Sequence, residues 1–377
     1  HNAPETIVAT QLAECATKAL TREAQKLAFY NAGHGPQGYL PLREWLAQKL
    51  DRQAGIKCST DEILITSGSS PAIDLVNKTL LSPGDTVIVE QSNYGGVLSR
   101  FKRLKVNMVS IDLDDDGMRM DHLDRALADL KAKGKRAKYI YTIPTVQNPT
   151  ATIMPLGRRQ EMLRLAEAHD TPIFEDECYA DLIWNGERPP AIYALDETGR
   201  TIFTSTFSKS IAPALRVGYL VAKWPFLSQA VACKSDAGSG MIEQMMLAEF
   251  CPAHFDAHLA KLITRLQEKR DVLIDALNEN FGTTVEFTPP PGGIFLWVKF
   301  PDSVDTTKLT QVAGQAGIAV NPGVDWSEAH PAGNRHIRLC YASASPEELR
   351  AGVGALADVC HETFGVPERS ANRARES

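Results

Sequence analysis

A chain of 377 residues with 44% hydrophobic and 23% charged side chains is long enough to bury a large core, in two domains or in one large domain with a satellite. Its formal net charge of −6 provides no general attraction for nucleic acid or an anionic membrane, so the expected partners are small molecules and further copies of the chain. Seven scattered cysteines lack the spacing of a structural zinc site and read as reduced thiols, and no metal is expected. No apolar run is long enough to cross a bilayer, and the first residues lack the basic and apolar regions of a secretory signal, which makes a cytoplasmic location the expectation. The basic cluster Lys131 to Lys138 reads as a solvated helix end.

Taken in chain order, the N-terminal piece ends in a predicted helix over Leu40 to Leu50. From about residue 60 to 220, short β-branched runs alternate with amphipathic stretches, the pattern of a mostly parallel central sheet covered by helices. Strands are predicted at Glu62 to Thr66, Thr86 to Glu90, Tyr139 to Ile143 and Pro172 to Asp176. Helices are predicted at Pro71 to Leu81, Tyr94 to Leu104, Asp121 to Leu130 and Leu156 to His169. A long helix is expected from Ala253 to Phe281. The segment Thr288-Pro289-Pro290-Pro291-Gly292-Gly293 cannot continue any element, so a second unit begins there. Its predicted strands are Ile294 to Lys299, Ile318 to Val320 and His336 to Tyr341, with helices from Asp305 and Pro346, a smaller α+β domain. The division expected is a large ligand-binding domain over 50–285 and a small domain of 286–377 plus the N-terminal segment 1–49. The polar stretch Glu368 to Ser377 is expected to fray.

Four segments carry chemistry. Thr204-Ser205-Thr206-Phe207-Ser208-Lys209 crowds hydroxyls before one lysine, and Arg216 follows seven residues later. A lysine amine can attach an aldehyde while hydroxyls and a guanidinium hold a phosphate. Asp176 ends an apolar strand, where a carboxylate points into the crevice in which parallel sheets bind ligands and can keep a pyridine nitrogen protonated. Period-two alternation places Asp176 and Phe174 on one face and Glu175 on the other. Asn148, in Gln147-Asn148-Pro149, can extend its amide to a phenolic oxygen. The strand ending at Thr66 runs into Ser67-Gly68-Ser69-Ser70 and a helix, which offers free N–H groups to an anion. Taken singly, Asp176 reads equally well as a helix cap, Asn148 reads more readily as part of a turn, and a serine after Gly68 is usually just an N-cap.

In this order and at these spacings the segments resemble fold-type I pyridoxal-phosphate enzymes, specifically the class I and II aminotransferases and the group that includes 2-aminoadipate and kynurenine aminotransferases. The resemblance covers about residues 30 to 363. It implies pyridoxal 5'-phosphate as cofactor, with Lys209 as the Schiff-base lysine and catalytic acid and base, and Thr206, Ser208 and Arg216 on the phosphate beside Gly68, Ser69 and Ser70. It also implies Asp176 on the pyridine nitrogen, Tyr179 and Asn148 on the phenolic oxygen, and Tyr94 stacked on the ring, although the lead-in Glu90-Gln91-Ser92-Asn93 lacks the family's usual proline. Arg338 would grip the substrate α-carboxylate, where a planar guanidinium suits two-point contact, with Asn148 beside it. Amino acid and 2-oxo acid substrates and a homodimer with its active site at the subunit interface are implied as well. In the family a tyrosine reaches across that interface to the neighbour's phosphate. Here Gly33 stands at its position, and Tyr30 serves only if three extra residues are accommodated.

The function implied is transfer of an amino group between an L-amino acid and a 2-oxo acid in ping-pong half-reactions. A β-eliminating or C–S lyase of the same fold is the alternative. A transcriptional regulator with an aminotransferase-like sensor domain is less expected, because few residues precede Tyr30 to form a winged helix. Tyr39 and Arg100 are candidate specificity residues, each more readily structural, and no second arginine stands at a recognisable dicarboxylate position, which disfavours aspartate.

Overall fold

The computed structural model describes residues 2–327 and 331–368; the stretch expected to fray lies, beyond Glu368, outside them. Eleven helices are described: α1 Ala9–Glu23, α2 Leu40–Ala54, α3 Ser69–Leu80, α4 Gly95–Leu104, α5 Met120–Ala132, α6 Leu156–Ala168, α7 Ile192–Leu195, α8 Trp224–Cys233, α9 Met241–Phe281, α10 Thr306–Gln315 and α11 Pro346–Phe364. The main sheet holds β1 Ile63–Thr66, β2 Thr86–Glu90, β3 Asn107–Ile111, β6 Ala137–Thr142, β7 Ile173–Asp176, β8 Ile202–Thr206 and β9 Gly218–Val221 in the order β1-β9-β8-β7-β6-β2-β3. Between β3 and β6 lies a short hairpin, β4 Leu113–Asp114 and β5 Gly117–Met118. Apart from β3 these main strands are buried along their lengths, save Lys138, which is why they read as apolar runs and not as alternating ones.

Strands β3, β2, β6, β7 and β8 run parallel, and β9 alone is reversed against both β8 and β1. The carboxyl ends of β1, β2, β6, β7 and β8 therefore lie along one edge. The reversal of β9 returns the chain to that edge just before Gly218, which brings Arg216 beside the end of β8. A second, antiparallel sheet of β10 Phe295–Lys299, β12 His336–Cys340 and β11 Asn321–Pro322 packs with α10 and α11, the smaller α+β unit.

Two expectations need correction. The long helix begins at Met241, not Ala253, and runs through Pro252; the lost hydrogen bond is outweighed by burial of Phe250, Cys251 and Phe255 around it. The strand expected at Ile318–Val320 lies instead at Asn321–Pro322, paired to Arg338 and Ile337. Ile318 and Val320 pack on the core through their side chains without joining a ladder, so the apolar signal reported burial and not pairing. Helix α9 is the common spine against which α1, α2 and α11 all pack, and α2 also touches β1.

Candidate active site

Strand β1 stops at Thr66, whose hydroxyl donates to the Gly68 carbonyl oxygen at 2.8 Å, and Gly68, at φ 99°, turns the chain into α3. Helix α3 begins at Ser69, two residues before the expected Pro71, so Ser69 and Ser70 occupy its first turn, where N–H groups lack intrahelical partners. Tyr94 caps α4.

A cavity of about 190 Å³, open at its mouth, is lined by Ser69, Ser70, Tyr94, Asn148, Asp176, Tyr179, Thr206, Ser208, Lys209 and Arg216, together with Ile143, Cys178 and Pro213. Ten of the twelve residues singled out from the sequence thus meet in one place. Gly68 sits at the wall: a Cβ built on it would lie 2.3 Å from Arg216 Nη2. Arg338 stands beside the cavity, its Nη1 donating to Asn148 Oδ1 at 3.2 Å.

The donors converge. Thr206 Oγ1 and Ser208 Oγ are 2.9 Å apart, and Arg216 Nη1 reaches Ser208 Oγ at 3.4 Å while Nη2 donates to the Ser67 carbonyl at 2.9 Å. Gly218 permits this, because a Cβ there would fall 2.6 Å from the Gly68 carbonyl carbon. Lys209 Nζ lies 5.8 Å from the centre of the Tyr179 ring, and burial lowers its pKa from the ordinary lysine value. Asn148 Nδ2 donates to the Tyr179 hydroxyl at 3.4 Å, and burial raises that phenol well above its ordinary range.

Asp176 is buried, and burial raises its pKa against the lowering influence of the Cys178 thiol and the Tyr141 hydroxyl. Tyr141 donates to Oδ2 at 2.6 Å, whereas Oδ1 is buried with no hydrogen-bond partner. Glu175 points away, accepting the N–H groups of Ile192 and Tyr193 at 2.8 Å each. Beneath the cavity, Glu90 accepts from Thr142, the Ile143 N–H, Asn93 and Gln147, and so ties the turn before Tyr94 to the loop carrying Asn148. Complete burial nevertheless lifts its pKa to about 7.

Sequence reasoning passed over Tyr141, Cys178 and Glu90. Cys178 sits between two residues already singled out and could have been found by proximity. Tyr141 and Glu90 act across neighbouring strands, and no local signal marks which strand will be adjacent. Of the candidate specificity residues, Tyr39 is fully buried and donates its hydroxyl to Glu23 at 3.0 Å, while Arg100 is paired to Asp74 at 2.7 Å; neither lines the cavity.

A lysine, a carboxylate and a guanidinium facing one cavity at the carboxyl edge of a mostly parallel sheet define an α/β enzyme that binds an anionic small molecule. The chain belongs to the aminotransferase class I and II family, which it matches over residues 2–356. It is 34% identical to aromatic-amino-acid aminotransferase 1 of Thermococcus litoralis over 96% of this chain and 86% of that protein. It is 30% identical to 2-aminoadipate transaminase of Thermus thermophilus over 94% of this chain and 87% of that protein. The crystal structure of a multiple substrate aminotransferase from Thermococcus profundus superimposes with a TM-score of 0.90 at 33% identity, covering 97% of this chain and 90% of that one. The protein is therefore an aminotransferase of the fold-type I architecture, dependent on pyridoxal phosphate.

Proposed function

We propose that Lys209 carries the cofactor aldehyde and that Asp176 pairs with its ring nitrogen in a ping-pong transfer between an L-amino acid and a 2-oxo acid. The observation that carries this reading is the buried Asp176 Oδ1, left without a hydrogen-bond partner apart from the weak influence of the Cys178 thiol, in the cavity that also receives Lys209. A carboxylate so buried needs a cation, and a protonated pyridine nitrogen is one of matching shape. The rest of the donor set fits the same group. Thr206, Ser208, Arg216 and the first turn of α3 with Ser69 and Ser70 would hold the phosphate. Asn148 and Tyr179 would hold the phenolic oxygen, and the Tyr94 ring would cover the pyridine.

When bound, the protonated ring withdraws electrons from the bonds at the substrate Cα. Lys209 Nζ would be placed to remove the proton from that Cα; its lowered pKa leaves more of it as the free base at neutral pH than an exposed lysine would have. Arg338 receives the α-carboxylate and, with Asn148, orients the Cα–H bond. The substrate proposed is an aromatic, aliphatic or 2-aminoadipate-like amino acid; Lys209 and Arg216 are the only cations among the described residues lining the cavity, which favours the uncharged side chains among these. The large unit is assigned to 50–285 and the small one to 1–49 with 286–377. A cytoplasmic homodimer is part of the proposal, for which Phe29 and Tyr30, 67% and 84% exposed, offer an apolar face.

The test is a screen of amino donors against 2-oxoglutarate and pyruvate. New 2-oxo acid should form only when an acceptor is supplied, whereas steady release of pyruvate and ammonia from a cysteine conjugate without acceptor would make the enzyme a lyase. A second expectation concerns the phosphate cradle. Gly68→Ala places a methyl against Arg216 at a backbone φ of 99°, and the displaced guanidinium should weaken pyridoxal phosphate binding about tenfold in a titration. An unchanged dissociation constant would remove Arg216 from the phosphate.

A further inference from the structure

Arg338 is held more closely than substrate recognition by one arginine requires. Its carbon Cζ lies 3.8 Å from the centre of the Trp326 ring and 5.2 Å from that of Phe295, so two aromatic rings bear on the guanidinium. Along its edge, Nη1 donates to Asn148 Oδ1 at 3.2 Å and Nη2 to Asn321 Oδ1 at 3.1 Å. A guanidinium has five N–H donors, and the remaining ones include Nε, which is buried without a partner. The Trp326 indole Nε1 beside it is also buried without a partner, the residue being 8% exposed. Each is a buried donor left without an acceptor among the described residues.

Trp326 does not belong to the element that carries Arg338. It lies in the segment after β11, anchored to the main sheet: its carbonyl accepts the Asn93 N–H at 2.6 Å, and Ser327 Oγ meets Ser92 Oγ at 3.0 Å. Gly95 allows the approach, since a Cβ there would fall 2.4 Å from the Asp325 carbonyl oxygen. The Trp326 ring also stands 6.3 Å from that of Tyr94. The indole thus transmits the position of the Tyr94 turn, on the large sheet, to a guanidinium that hangs from β12.

We propose that Trp326 is a positioning residue for the substrate: its indole fixes the plane of the Arg338 guanidinium and so sets the affinity for the α-carboxylate. This rests on the reading of Arg338 as the carboxylate-binding group. Held in one plane, the free N–H edge meets both carboxylate oxygens at once; released, it meets them only after losing rotational freedom, and the two-point contact weakens.

The experiment measures calorimetric binding of 3-phenylpropionate, a carboxylate with no amine to react, to the cofactor-loaded enzyme. Trp326→Leu should weaken it about tenfold, and Trp326→Phe, which keeps a ring face, by about threefold or less. The KM of amino donors should rise in parallel with kcat nearly unchanged. Trp326→Met, apolar and without a ring, serves should the leucine variant not fold. If Arg338→Met loses the probe while Trp326→Leu and Trp326→Met bind it as the unaltered enzyme does, the positioning role is overturned and Arg338 keeps its own. If Arg338→Met also binds the probe normally, the carboxylate reading itself falls.

Discussion

Lys209→Ala is expected to abolish the absorption band of covalently held cofactor and to lower turnover by at least about a thousandfold. One nitrogen is assigned two tasks, carrying the aldehyde between turnovers and moving the proton at the substrate Cα within them, so one substitution removes both. The phosphate contacts proposed for Thr206, Ser208 and Arg216 do not depend on that nitrogen. The variant should therefore still take up pyridoxal phosphate, released by dialysis where the unaltered enzyme keeps it. Lys209 stands half-buried in the cavity beside Tyr179, where burial disfavours its charged form, so its truncation removes a desolvated amine and should leave the fold intact by circular dichroism. Persistence of the band and of turnover would refute the assignment.

Asp176→Asn should separate binding from chemistry. The amide keeps the shape of the carboxylate and an acceptor for Tyr141, which now donates at 2.6 Å, but it cannot balance a positive ring nitrogen. Charge-assisted hydrogen bonds contribute roughly 1.5–3 kcal/mol, and the ring's electron-withdrawing power falls with its protonation, so a loss on the order of a hundredfold or more in kcat is expected. Cofactor affinity should change much less, because the phosphate is held elsewhere. Near-normal turnover would count against the pairing. Because burial raises the pKa of Asp176 in the protein alone, a protonated ring nitrogen beside it should lower it again.

Much of this site was legible before the fold. Lys209 with its hydroxyls, Asp176 at a strand end, Asn148 before a proline and the Gly68 turn each announce themselves locally, and their order along the chain carried the family resemblance. Period-two alternation separated Asp176 from Glu175, and the hydrogen bonds of Glu175 lie on the opposite side of the sheet, at the start of α7. Where the reading slipped, the cause was again physical. The helix expected from Ala253 begins instead at Met241, because the core on both sides of Pro252 keeps α9 continuous.

By itself the sequence determined the chemistry available: which groups can hold an aldehyde, a phosphate and a carboxylate, and on which elements they sit. Only the tertiary structure decided their company. The reversal of β9 that brings Arg216 to the Ser67 carbonyl, the neighbouring β6 that presents Tyr141 to Asp176, and the turn at Asn93 that receives Trp326 join residues 149, 35 and 233 positions apart. Periodicity and caps follow from bonds within a few residues, but strand order and side-chain stacking follow from burying the whole apolar surface at once.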